Sequence, residues 1–139
     1  MRILARPHQL PVRLATGAYV LNAGLSMAAG DEGSAAAVHG MAANAYPFLK
    51  KMSPRTFVWL LSKTEIAVGA ALLVPVVPSL VAGAALTAFA GGLVGLYLRT
   101  PSLRQEGSLR PSQEGIGVAK DVWLLGIGTS LVAEELCRP

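Results

Sequence analysis

Charge is scarce in this sequence. Of its 139 residues only 14% are Asp, Glu, Lys or Arg, where an ordinary soluble domain carries about a quarter. Aromatics are also few, at 6%, and the 12 Lys and Arg residues are dispersed rather than grouped. A nucleic-acid platform needs a basic stripe or stacking aromatics, so the net charge of +4 does not point to nucleic acid. Loop charges that set membrane orientation and meet anionic head groups account for it better. The single cysteine, Cys137, excludes an internal disulfide, and no Cys/His spacing suits a metal. No Ser/His/Asp set, carboxylate dyad or nucleotide loop is present, so neither a cofactor nor catalysis by this chain alone is expected. His8 and His39 read as solvated surface histidines, and the adjacent Glu134 and Glu135 as a solvated helix end.

Hydrophobicity is what the chain has in excess: 53% of residues are hydrophobic and the mean hydropathy is +0.50. A chain of this length makes one domain, residues 1–139. In water a small domain buries a smaller share of its surface, so this composition implies a bilayer as solvent. Four apolar segments stand out, at about 10–30, 57–77, 79–97 and 116–133. The second and third are each about 20 residues, enough to cross roughly 30 Å of hydrocarbon. Pro75 and Pro78 force the chain back between them, giving a transmembrane hairpin. The first segment, preceded by Arg2 and Arg6, also has the make-up of a signal peptide, a reading disfavoured by the three spans that follow. The fourth must include Lys120 and Asp121 to span, and is otherwise an interfacial helix. The expected fold is therefore all-α: an integral membrane four-helix bundle with a short interfacial helix between the first and second spans.

That short helix is read from Val38, Met41, Ala42 and Ala45 at helical spacing, followed by a basic lip at Lys50, Lys51 and Arg55. With four spans, both long loops share one side and both termini the other. Tyr46, Phe48, Phe57, Trp59, Tyr97 and Trp123 cluster toward the loop side, as an interfacial belt does. The Lys/Arg count favours loops inside, whereas the arginines before the first helix favour termini inside.

Within lipid, close packing rather than hydrophobicity joins helices. Ala84, Ala88 and Gly92, Gly91 and Gly95, Gly69 with Ala70 and Ala71, and Gly126 with Gly128 supply small-residue faces, which leave self-association open. Buried polar groups form the candidate intramembrane site. Glu65 lies eight positions after Phe57, about 12 Å along the helix and near mid-membrane. A carboxylate there costs roughly 3 kcal/mol and needs a partner or a proton. Asn22 sits at similar depth and is its expected partner. Lys63, Lys120 and Asp121 form a shallower cluster on the loop side, and Arg13 lies near the terminal side. These groups serve either as interhelical glue or as a proton, ion or head-group site.

The pattern RLATGAYVLNAGLS, then a loop helix, then TEIAVGAALLVPVVPSLVAGAALTAFAGGLVGLYL resembles the DoxX-like family of small bacterial membrane proteins. Arg13, Leu14, Gly17, Gly24, Leu25, Ser26, Glu65 and Gly69 carry the resemblance. Asn22 stands where that family often has His, and Met27 where it often has Lys. The resemblance implies a multi-pass protein of the bacterial plasma membrane. It also implies a non-catalytic accessory or scaffold subunit of a membrane redox complex, with lipids and other membrane subunits as partners. The alternative is a bundle centred on Glu65 that binds or transports a lipid, quinone or small ion.

Overall fold

The computed structural model describes residues 5–99 and 121–137, and these are all-helical, with no strand among them. The helices are α1 (Leu10–Ala28), α2 (Glu32–Ala45), α3 (Pro54–Leu73), α4 (Ser79–Arg99) and α5 (Asp121–Cys137). Short 3-10 turns at Pro7–Gln9 and Pro47–Lys51 precede α1 and α3. Two helices are long and apolar enough to cross a membrane, α3 with 20 residues and α4 with 21. α1 has 19 residues but is less apolar, and the described α5 has 17. The polar loop and the first residues of the expected fourth span, Lys120 included, lie outside the described residues.

The ends of the helices have local causes. α3 starts earlier than its apolar run, because Ser53 caps it, accepting from the Thr56 amide at 3.2 Å, and Pro54 opens the first turn. It stops at Leu73, four residues short of the expected end at 77. Val74 precedes Pro75 and is extended, at φ −88 and ψ 112, as the residue before a proline prefers. The hairpin turn is therefore Val74 to Pro78, longer than the sequence suggests.

α1 packs along α3 and α4 along α5, while α3 and α4 touch through fewer residues and α2 packs against α3. Each helix buries one stripe at helical spacing. On α1 it is Arg13, Thr16, Gly17, Val20 and Gly24; on α3 Ser62, Glu65, Val68, Gly69 and Leu72; on α5 Asp121, Leu124, Gly128, Leu131 and Glu135. Val20, Val68, Leu72, Ala82, Leu86, Ala90, Leu124 and Leu131 meet in one apolar core drawn from α1, α3, α4 and α5.

Two glycine contacts set the helix distances. A Cβ on Gly69 would lie 2.6 Å from the Leu21 amide nitrogen, and one on Gly128 would lie 2.8 Å from that of Thr87 and 3.0 Å from the Gly83 carbonyl. These are backbone-to-backbone approaches, which only glycine permits. The small-residue face expected at Ala84, Ala88 and Gly92 does not do this. Ala84 and Ala88 are exposed, and a Cβ on Gly91, Gly92 or Gly126 would meet nothing within 4 Å. α4 instead turns Gly83 inward, one position away from Ala84.

Candidate functional site

Three polar or hollow features need an account: a buried arginine at the turn end, a carboxylate pair, and an apolar chamber at the loop end.

Arg13 is 0% exposed. Its Nε donates to the Leu72 carbonyl at 2.9 Å. Nη1 donates to the Val77 carbonyl at 2.9 Å and to Ser79 Oγ at 3.0 Å. Nη2 donates to the carbonyls of Ala71 at 2.7 Å and Val74 at 3.0 Å. The guanidinium has five N–H donors, and all are used. The acceptors are the carbonyls that α3 leaves orphaned at its C-terminus, plus those of the turn. The negative end of the α3 dipole thus faces the positive charge, and the charge is held by neutral oxygens. Arg13 belongs to the hairpin turn, apart from Glu65, and its geometry is that of a clamp.

The clamp continues into a network that closes the turn end. Ser79 Oγ donates to Gln9 Oε1 at 2.6 Å, and Gln9 Nε2 donates to Glu134. His8 Nε2 pairs with Glu134 Oε2 at 2.8 Å, and Arg6 Nη2 with Glu135 Oε2 at 3.1 Å. The Glu135 side chain is fully buried, so the expected solvated helix end is in fact the lid of this network. Two atoms, Arg6 Nε and Glu135 Oε1, are buried there without a hydrogen-bond partner. His39 also departs from a solvated histidine: its Nε2 donates to the Leu49 carbonyl at 2.8 Å, and its ring meets Phe57 edge-on at 5.6 Å.

Glu65 points inward from α3, as expected, but not toward Asn22. Asn22 is exposed on α1, two positions past the buried Val20 and so on another face. Lys63 is exposed for the same reason, two positions from Glu65. Asp121 of α5, also buried, is near enough to act on Glu65 as a like charge. Gly24 of α1 leaves room beside it, since a Cβ there would lie 3.2 Å from Glu65 Cβ. No group of three or more metal-binding side chains occurs among the described residues. Two buried carboxylates repel, so an amide in place of one should relieve the bundle. Asp121→Asn is expected to raise stability by roughly 1–2 kcal/mol, read as a higher melting temperature in mild detergent. An unchanged or lower value would contradict repulsion between the two carboxylates.

The chamber was not legible in the sequence. Between α3 and α4, which touch through few residues, a cavity of about 400 Å³ opens at the loop end, with α2 forming part of its wall. Its walls are Met27 of α1, Val38, Met41 and Ala42 of α2, Phe57 and Leu61 of α3, and Phe89, Gly92, Leu93 and Leu96 of α4, with Tyr46 and Leu49 at the edge. The one hydroxyl in this wall is occupied: Tyr46 donates to the Gly92 carbonyl at 2.7 Å. Arg99 sits 5.0 Å over the Tyr46 ring and donates to the Ala45 carbonyl at 3.3 Å. From Phe89 to Leu96 the chamber runs about 10 Å along α4. Its size and apolar lining fall within the range of small-molecule sites.

In comparisons with protein-family models, curated proteins and solved structures, nothing matches this chain.

Proposed function

We propose that this chain is a multi-pass protein of the bacterial plasma membrane. α1, α3, α4 and α5 cross as a four-helix bundle that holds an apolar chain in the chamber beneath α2, without catalysis of its own. The chamber carries the functional reading: it is apolar, lies between helices, and has no free donor in its described wall. The membrane reading is supported by an outward apolar surface. Only 28% of the apolar window of α3, and 28% of that of α4, is buried inside the protein. Tyr19, Trp59, Val81 and Trp123 face outward. A soluble core helix buries its apolar residues, whereas a lipid-facing one does not. Arg13 suits a spanning α1 because every N–H it would bring into hydrocarbon is already bonded.

A second reading, an accessory or scaffold subunit of a membrane redox complex, rests on the DoxX-like resemblance. It draws support from the outer groove of Ala84, Thr87, Ala88, Thr129 and Ala133, small residues on which a partner's helix can pack.

Two experiments test the main reading. In a Cys137→Ser background, single cysteines at Val76 and Lys51 should react with a membrane-impermeant maleimide from opposite sides. Labelling of both from one side would defeat the topology. Protein purified in mild detergent should carry a chain-bearing molecule detectable by mass spectrometry. Gly92→Leu, which adds bulk to the chamber wall, should lose it.

A further inference from the structure

We infer that the chamber's occupant is one acyl chain of an anionic phospholipid, whose head group rests on a basic rim formed by Lys50, Lys51 and Arg99. This rests on the apolar-chain reading and adds the chemistry of the head group. Lys50 and Lys51 directly follow Leu49, which lines the chamber, and both are exposed. Arg99 lies one turn beyond Leu96, another wall residue, and stacks on Tyr46 at the edge. Among the described residues Arg99 contacts neutral groups, the Ala45 carbonyl and the Tyr46 ring. The ion pairs among the described residues, Arg6–Glu135, His8–Glu134 and Arg55–Glu32, involve none of these three cations.

The two halves of the site select two halves of one molecule. Among the described wall residues a polar ring system would find no free side-chain donor, since the Tyr46 hydroxyl hydrogen is already given to Gly92; a hydrocarbon chain asks for none. At the rim, three cations at the loop end favour a phosphate without a balancing ammonium. The neighbouring hollow between α2 and α3 differs: its wall mixes Asp31 and Glu32 with Arg55 and Lys63, so it shows no such preference.

The test is competition between two lipids of equal chain length. The whole protein is equilibrated with mixed micelles holding equal amounts of phosphatidylglycerol and phosphatidylcholine, and bound lipid is counted by native mass spectrometry. Phosphatidylglycerol should be retained at least about fivefold over phosphatidylcholine, the effect of one basic side chain near a lipid head group. The Lys50→Gln/Lys51→Gln variant, altered only at exposed positions, should keep total lipid but lose most of that preference. Arg55→Gln, at the other hollow, should keep it. Gly92→Leu should lose both lipids. Equal retention of the two lipids by the parent would overturn the anionic inference while leaving the chamber reading intact. No retained lipid of either kind would overturn the chamber reading itself. A preference unchanged in the double lysine variant would overturn the rim.

Discussion

Arg13→Leu should cost this protein more than any other single side-chain truncation, at about 4 kcal/mol or above. The leucine removes five hydrogen bonds at once and leaves the carbonyls of Ala71, Leu72, Val74 and Val77 facing an apolar side chain. Each buried acceptor so stranded costs about 1–3 kcal/mol, and the costs overlap because the turn can relax. Arg13→Lys should recover only part of the loss: an ammonium has three donors and no planar fork with which to reach both α3 and Ser79. Thermal unfolding in mild detergent, followed by circular dichroism, should rank parent above Lys above Leu. A leucine variant that melts with the parent would show that the hairpin turn holds itself.

The second large effect separates two glycines that look alike in the sequence. Gly69→Leu should destabilise by more than about 3 kcal/mol, because its Cβ would already sit 2.6 Å from the Leu21 backbone nitrogen and α1 must move away. Gly92→Leu should leave stability unchanged or raise it by up to about 1 kcal/mol, since a Cβ there meets nothing within 4 Å and leucine favours helix over glycine. The same unfolding measurement compares them. Equal losses at both positions would mean that α4 is packed through Gly92, by a partner or a second copy of the chain.

Much of the fold was legible because proline, serine and apolar run length act locally. The apolar runs that begin at Leu10 and Ser79 coincide with the starts of α1 and α4. The end of α3 was not legible, because Val74 to Val77 is apolar and continues the run; only the proline's demand on Val74 and the Arg13 clamp stop the helix earlier. The candidate polar site was read by depth, which sequence spacing gives well, and not by angle, which it gives only when the inward stripe is traced. On α1 that stripe passes through Arg13, Gly17, Val20 and Gly24 and leaves Asn22 outside. On α3 it passes through Ser62, Glu65 and Gly69 and leaves Lys63 outside. The same angular argument moves the packing face of α4 from Ala84 to Gly83. Asp121 and Glu135 begin and end one inward stripe of α5, a spacing present in the sequence but hidden by treating Glu134 and Glu135 as a solvated pair. The chamber had no local signal, since it arises from how far α3 and α4 part and from where α2 comes to rest.

Collision accessibility of spin labels along α4 tests the central claim, that these helices cross a bilayer with their apolar outer faces in lipid. Single nitroxides at Val81, Ala88 and Leu98, all outward-facing, would be measured in phospholipid vesicles against oxygen, which concentrates in hydrocarbon, and against a nickel chelate, which stays in water. The account predicts the highest oxygen-to-nickel ratio at Ala88, with lower values toward Val81 and Leu98. Nickel access at Ala88 equal to that of a label at the exposed Lys51 would contradict it.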